Sequence, residues 1–135
     1  MRARGSFDVK LAPLTAADGA ARPGLGRMSL DKRFHGDLDA VSQGEMLTAA
    51  TEIEGSAAYV AIERVNGTLQ GRHGTFVLVH RGLMTRGTPE LAITVVPDSG
   101  TDELVGLAGT LSITILGREH SYDFEYTLDA GPDAR

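Results

Sequence analysis

Three ionisable residues interrupt stretches that are otherwise apolar, and their types suit acid–base chemistry. Lys32 lies between Leu30 and Phe34, Glu63 ends the run Tyr59-Val60-Ala61-Ile62, and His80 follows Phe76 and Leu78 on one alternating stripe. A carboxylate held in an apolar interior is expected to have a raised pKa and to serve as an acid or base. Arg64 follows Glu63 directly, so in extended chain it points to the opposite face and does not pair with it locally. If the stripes line one interior, Lys32, Glu63 and His80 form a polar cluster there, with Tyr59, His120 and Tyr122 adding polar tips to an apolar pocket. The competing readings are a structural ion pair for Glu63, a snorkelling lysine, a hydrogen-bonded core histidine and core tyrosines.

The elements that must position these residues are strands. Phe7, Val9 and Leu11 alternate with Ser6, Asp8 and Lys10. Met28, Leu30, Phe34 and Leu38 lie on one alternating stripe; Tyr122, Phe124, Tyr126 and Leu128 form a second, and Leu111, Ile113 and Ile115 a third. Period-two alternation marks half-buried strands. Ala58 to Ile62, Phe76 to Val79 and Leu91 to Val96 are apolar on both faces, and Val41 to Thr48 is a weaker strand. With these the chain holds about eight strands. Pro13 to Gly26 reads as a long loop with room for one helical turn, Ala49 to Gly55 as a shorter connection, and 129–135 as a frayed tail. The expected fold is all-β: one domain over residues 1–135, a closed antiparallel barrel. Closure removes exposed strand edges and leaves room for side chains or one small ligand. Strands apolar on both faces imply a covered outer surface, which a homo-oligomer supplies most simply.

Composition narrows the function classes. With 135 residues, 41% hydrophobic and 23% charged, the chain is an ordinary globular domain. A net charge of −5 without Lys/Arg runs argues against nucleic-acid or membrane-surface partners. The absence of cysteine excludes disulfides and thiolate chemistry, and the four histidines have no metal-binding spacing, so no metal or cofactor is signalled. Met1 to Asp8 is too polar for a signal peptide and no apolar run reaches membrane-spanning length, so a cytoplasmic protein is expected. No G-x-S-x-G is present.

Glycine is enriched, 17 of 135 residues. Leu69-x-Gly71-x-x-Gly74-Thr75-Phe76 recurs as Leu104-x-Gly106-x-x-Gly109-Thr110-Leu111. These read as strand starts and barrel corners, since glycine accepts positive φ and Thr and Phe favour extended chain. No helix follows Gly74 to help it hold a phosphate.

Several stretches carry a resemblance. They include Gly26-Arg27-Met28-Ser29-Leu30-Asp31-Lys32, Phe34-His35-Gly36-Asp37-Leu38, Gly55-Ser56-Ala57-Ala58-Tyr59-Val60-Ala61-Ile62-Glu63-Arg64 and His120-x-Tyr122-Asp123-Phe124-Glu125-Tyr126. Together they resemble a family of uncharacterised small bacterial proteins associated with the allene-oxide-cyclase-like β-barrel. The resemblance implies an eight-stranded antiparallel barrel and no established activity. A small apolar ligand in the lumen, handled by an isomerase- or cyclase-like site, is the leading expectation.

A second motif points elsewhere. Asp98-Ser99-Gly100-Thr101, preceded by Val95 and Val96, resembles the Asp-Ser/Thr-Gly loop of aspartic proteases, and Ile115-Leu116-Gly117-Arg118 resembles the apolar-apolar-Gly element of the retroviral type. That chemistry needs two close carboxylates, so Asp98 would act across a dimer. Pro97 and the mere 17 positions between Asp98 and Ile115 depart from the pattern. The plain alternative is a Pro-Asp-Ser-Gly turn. A third possibility is a structural or interaction module with a filled lumen and no site.

Overall fold

Alternation converts into eight strands because each buries every second side chain on a common interior. The computed structural model describes residues 1–15 and 22–128. The strands are β1 (Arg2–Pro13), β2 (Leu25–Gly36), β3 (Leu38–Ala50), β4 (Ala57–Leu69), β5 (Arg72–Thr85), β6 (Thr88–Val95), β7 (Leu107–Leu116) and β8 (Glu119–Leu128). A single 3₁₀ turn, Asp102–Leu104, lies between β6 and β7. Each strand pairs antiparallel with its sequence neighbour, and β8 returns to β1, so the barrel is closed. The expected all-β barrel is present. Val41 to Thr48 belongs to the full-length β3, and the Met28–Leu38 stripe divides at Asp37 into β2 and β3. The middle of the Pro13–Gly26 loop and the tail at 129–135 lie outside the described residues. No helix among the described residues is long and apolar enough to cross a membrane.

The two ends of the barrel differ. At one end lie the β2–β3 and β4–β5 turns, the C-terminus of β8 and the 3₁₀ turn. There the lumen is filled by Phe34, Phe76, Phe124, Leu38, Leu69 and Leu104, all at most 1% exposed. Phe76 stacks on Phe124 with centroids 5.9 Å apart. The Tyr122 hydroxyl ties this end together: it donates to the His35 carbonyl at 2.8 Å and accepts from the Leu38 N–H at 2.8 Å. The glycine repeat serves this end, as expected. Gly71 and Gly106 adopt φ of +89° and +86°, each two residues after a fully buried leucine, Leu69 or Leu104.

At the opposite end the inward-facing parity stays apolar but reaches solvent. Leu11, Met84, Leu91 and Ile115 are 42–60% exposed there. This end is unplugged among the described residues, and it contains the cavity described below. One seam is thin: β6 and β7 share a single register pair, Thr94 with Thr110. Outside, Leu47 opposes Val60 and Ile62 opposes Val79 across β3, β4 and β5. All four are exposed, so the segments read as apolar on both faces do present an apolar outer wall.

Candidate functional site

The polar cluster expected from the interrupted stripes exists, and the register of four neighbouring strands builds it. Lys32 on β2 stands directly opposite Ser42 on β3. Glu63 on β4 stands opposite Gly44 on β3 and Leu78 on β5, which places it diagonal to both Ser42 and His80. Diagonal neighbours on one sheet face lie within reach of long side chains. Gly44 matters here: a Cβ would run into the Ile62 carbonyl and the Glu63 Cα, so only glycine lets β4 carry its carboxylate at this point. Tyr59, two inward positions from Glu63 toward the open end, lies across Gly82, and any side chain on Gly82 would meet the Tyr59 ring.

Glu63 is fully buried and fully satisfied. Its Oε2 accepts from Lys32 Nζ at 2.9 Å and from His80 Nε2, and its Oε1 accepts from Ser42 Oγ at 2.6 Å. Lys32 Nζ also sits over the Phe7 and Phe34 rings, 5.2 and 5.7 Å from their centroids. Lys32, Ser42 and His80 are all buried, and no buried side-chain polar atom among the described residues lacks a partner.

The expected direction of the Glu63 shift is corrected by this arrangement. Burial alone pushes the carboxyl up, but the His80 hydrogen bond, the Lys32 charge and the Ser42 hydroxyl together hold it down at about 2. Glu63 is therefore an ionised anchor at neutral pH rather than a proton donor. An ionised carboxylate at Nε2 requires that nitrogen to carry a proton, which leaves Nδ1 as the ring nitrogen turned toward Tyr59. The Tyr59 hydroxyl lies 3.5 Å from that Nδ1, at the long limit of a hydrogen bond. Burial, then the negative charge of Glu63, pushes the Tyr59 phenol up, so it stays a donor. Carboxylate, imidazole and phenol thus stand in sequence from the interior toward the open end.

A cavity of about 320 Å³ meets this sequence at Tyr59. Its walls include Met46, Thr48, Ala57, Gly82, Met84 and Leu91. That size lies at the small end of the range for small-molecule sites.

The remaining candidates are placed elsewhere. His120 is half-buried with its ring 5.2 Å from Phe7, on the Lys32 side of the lumen. Tyr122 spends its hydroxyl on backbone at the plugged end and contributes no free polar tip to the cavity. Asp98 is exposed in a turn after β6 with φ of +64°. The neighbouring hydroxyls are committed to β5: Ser99 Oγ accepts from the Val77 N–H, and Thr101 Oγ1 from the Thr75 N–H. The Ile115-Leu116-Gly117-Arg118 element is the β7–β8 hairpin, with Leu116 71% exposed. These are features of the turn reading. Ser42 was not anticipated; its signal is parity, since it lies two and four residues beyond the inward Ala40 and Leu38.

The closed barrel and its cluster can now be set beside known proteins. The family described as Protein of unknown function (DUF3224) matches residues 3–126. The chain belongs to this family. A crystal structure of a DUF3224 protein of unknown function from Shewanella oneidensis MR-1, at 1.84 Å resolution, is 51% identical to it, with a TM-score of 0.89. The similarity covers 96% of this chain and 97% of that one. No curated protein matches the chain. DUF3224 membership thus fits the expectation of an uncharacterised family and assigns no activity.

Proposed function

We propose that the barrel binds a small apolar molecule at its open end and that His80, held by Glu63, exchanges a proton with it. This is an isomerase- or cyclase-like acid–base site, and the likeness to an allene-oxide-cyclase barrel is part of the same proposal. One observation carries it. The apolar cavity ends at Tyr59, whose hydroxyl faces the free nitrogen of an imidazole anchored by a buried carboxylate. A carboxylate–imidazole–hydroxyl sequence fixes the imidazole tautomer and lets it take a proton and return it. The apolar walls exclude water from that exchange. An ion pair serving stability alone has no need of an adjoining cavity or of a hydroxyl directed at its outer nitrogen.

Native mass spectrometry of protein taken from cells tests the binding step, together with titration by the apolar dye 1-aminoanthracene. A retained small molecule or saturable dye binding, abolished by Thr48→Arg in the cavity wall, is the expected result. A chain that carries nothing and leaves the dye unchanged refutes the reading.

A further inference from the structure

The charges around the lumen restrict what the cavity can accept. Resting on the function proposed above, we infer that its ligand is electrically neutral, with an apolar body and one acceptor oxygen (a ketone, enone or ester) that receives the Tyr59 hydroxyl. Arg72 shares the inward parity but is exposed at the plugged end beside the β4–β5 turn, so toward the open end, among the described residues, the one Lys or Arg on the inward parity of the eight strands is Lys32. Its charge is spent on Glu63, and its flanks are covered by Phe7 and Phe34. Among the described strand residues, no further Lys or Arg faces inward at the open end to meet an anionic head group. An anion would also be held near the Glu63 carboxylate in apolar surroundings, and the rim adds a second carboxylate, Glu90.

A cationic ligand fares no better. Both Glu63 oxygens already accept hydrogen bonds, the carboxylate is fully buried behind His80 and Lys32, and Glu90 is solvent-exposed at the rim, where water screens its attraction for a cation. Burying an unpaired charge is far costlier than burying a neutral polar group that finds one hydrogen bond. The hydroxyls lining the cavity are those of Thr48 and Tyr59, and the Tyr59 phenol, held only by a 3.5 Å contact to His80 Nδ1, can turn its proton to a ligand. A donor at the end of an apolar cleft selects an acceptor oxygen.

Three probes of equal chain length separate these cases: 2-nonanone, nonanoate and nonylamine, each displacing 1-aminoanthracene at pH 7. The ketone is expected to bind about 30-fold more tightly than either ion. Tyr59→Phe should weaken the ketone about 10-fold more than it weakens the dye, because the ring and its contact with Gly82 are kept and only the hydroxyl is lost. Nonanoate or nonylamine binding as tightly as the ketone overturns the inference, as does a ketone affinity that Tyr59→Phe weakens no more than it weakens the dye's. Either result leaves the binding reading intact, since that reading fails only if the dye itself does not bind.

Discussion

Replacing Glu63 by glutamine removes the charge at the centre of the cluster while keeping its shape. The amide can still face Ser42 with one end and Lys32 and His80 with the other, so the packing loss is small. The Lys32 ammonium, with a side chain 5% exposed, is then left without its counter-charge 2.9 Å away. Breaking a buried pair by removing one partner costs about 3–5 kcal/mol, a large share of the roughly 5–15 kcal/mol that holds a domain of this size folded. The apparent melting temperature should fall by roughly 10–20 °C. Urea unfolding followed by circular dichroism measures the loss directly. The companion variant Glu63→Gln/Lys32→Met removes the stranded charge as well and should recover most of the stability, since apolar replacement of a buried pair is often neutral. The reasoning is refuted if Glu63→Gln costs less than about 1 kcal/mol, or if adding Lys32→Met gives no recovery.

Further expectations follow from the same geometry. Glu63 is held at about 2 against an ordinary 4.5, so the unfolded chain takes the proton first. Stability is therefore complete above about pH 5 and declines by about 3 kcal/mol as pH falls toward 2, a slope that Glu63→Gln should remove from acid-unfolding curves. Tyr122→Phe strands the Leu38 N–H and the His35 carbonyl, and should cost about 1–3 kcal/mol in urea unfolding with no change in dye affinity. If self-association covers the outer wall of Leu47, Val60, Ile62 and Val79, light scattering will report an oligomer at micromolar concentration that Ile62→Glu converts to monomers. A monomeric parent protein removes that expectation.

The legibility of the sequence varied by feature. Strand positions were readable because period two is a local property: Phe7, Val9 and Leu11 announce β1 without reference to any partner strand. Lys32 interrupted a clear stripe, but the segments around Glu63 and His80 are apolar on both faces, so which of their faces lines the lumen was settled only by the closed barrel. Ser42 was harder, because Val41 to Thr48 mixes polar and apolar residues on both faces. Its inward side is defined only once Leu38 and Ala40 are seen to be buried. Tyr122 looked like a pocket residue because parity gives a side of the sheet and not a height along the barrel. Only the closure of β8 on β1 places its hydroxyl beside the β2–β3 turn.

The sequence alone thus determined an all-β chain, the alternation of its half-buried strands and three ionisable residues that interrupt apolar stretches. Tertiary structure decided what those residues become. Glu63 meets Lys32 across 31 positions and His80 across 17, and these separations acquire meaning only through strand register. Coulombic and hydrogen-bond effects act over a few ångströms, so the same buried carboxylate has a raised pKa when alone and a depressed one when paired. Register supplied the partners, and with them the change from a proton donor to a fixed anion that orients an imidazole.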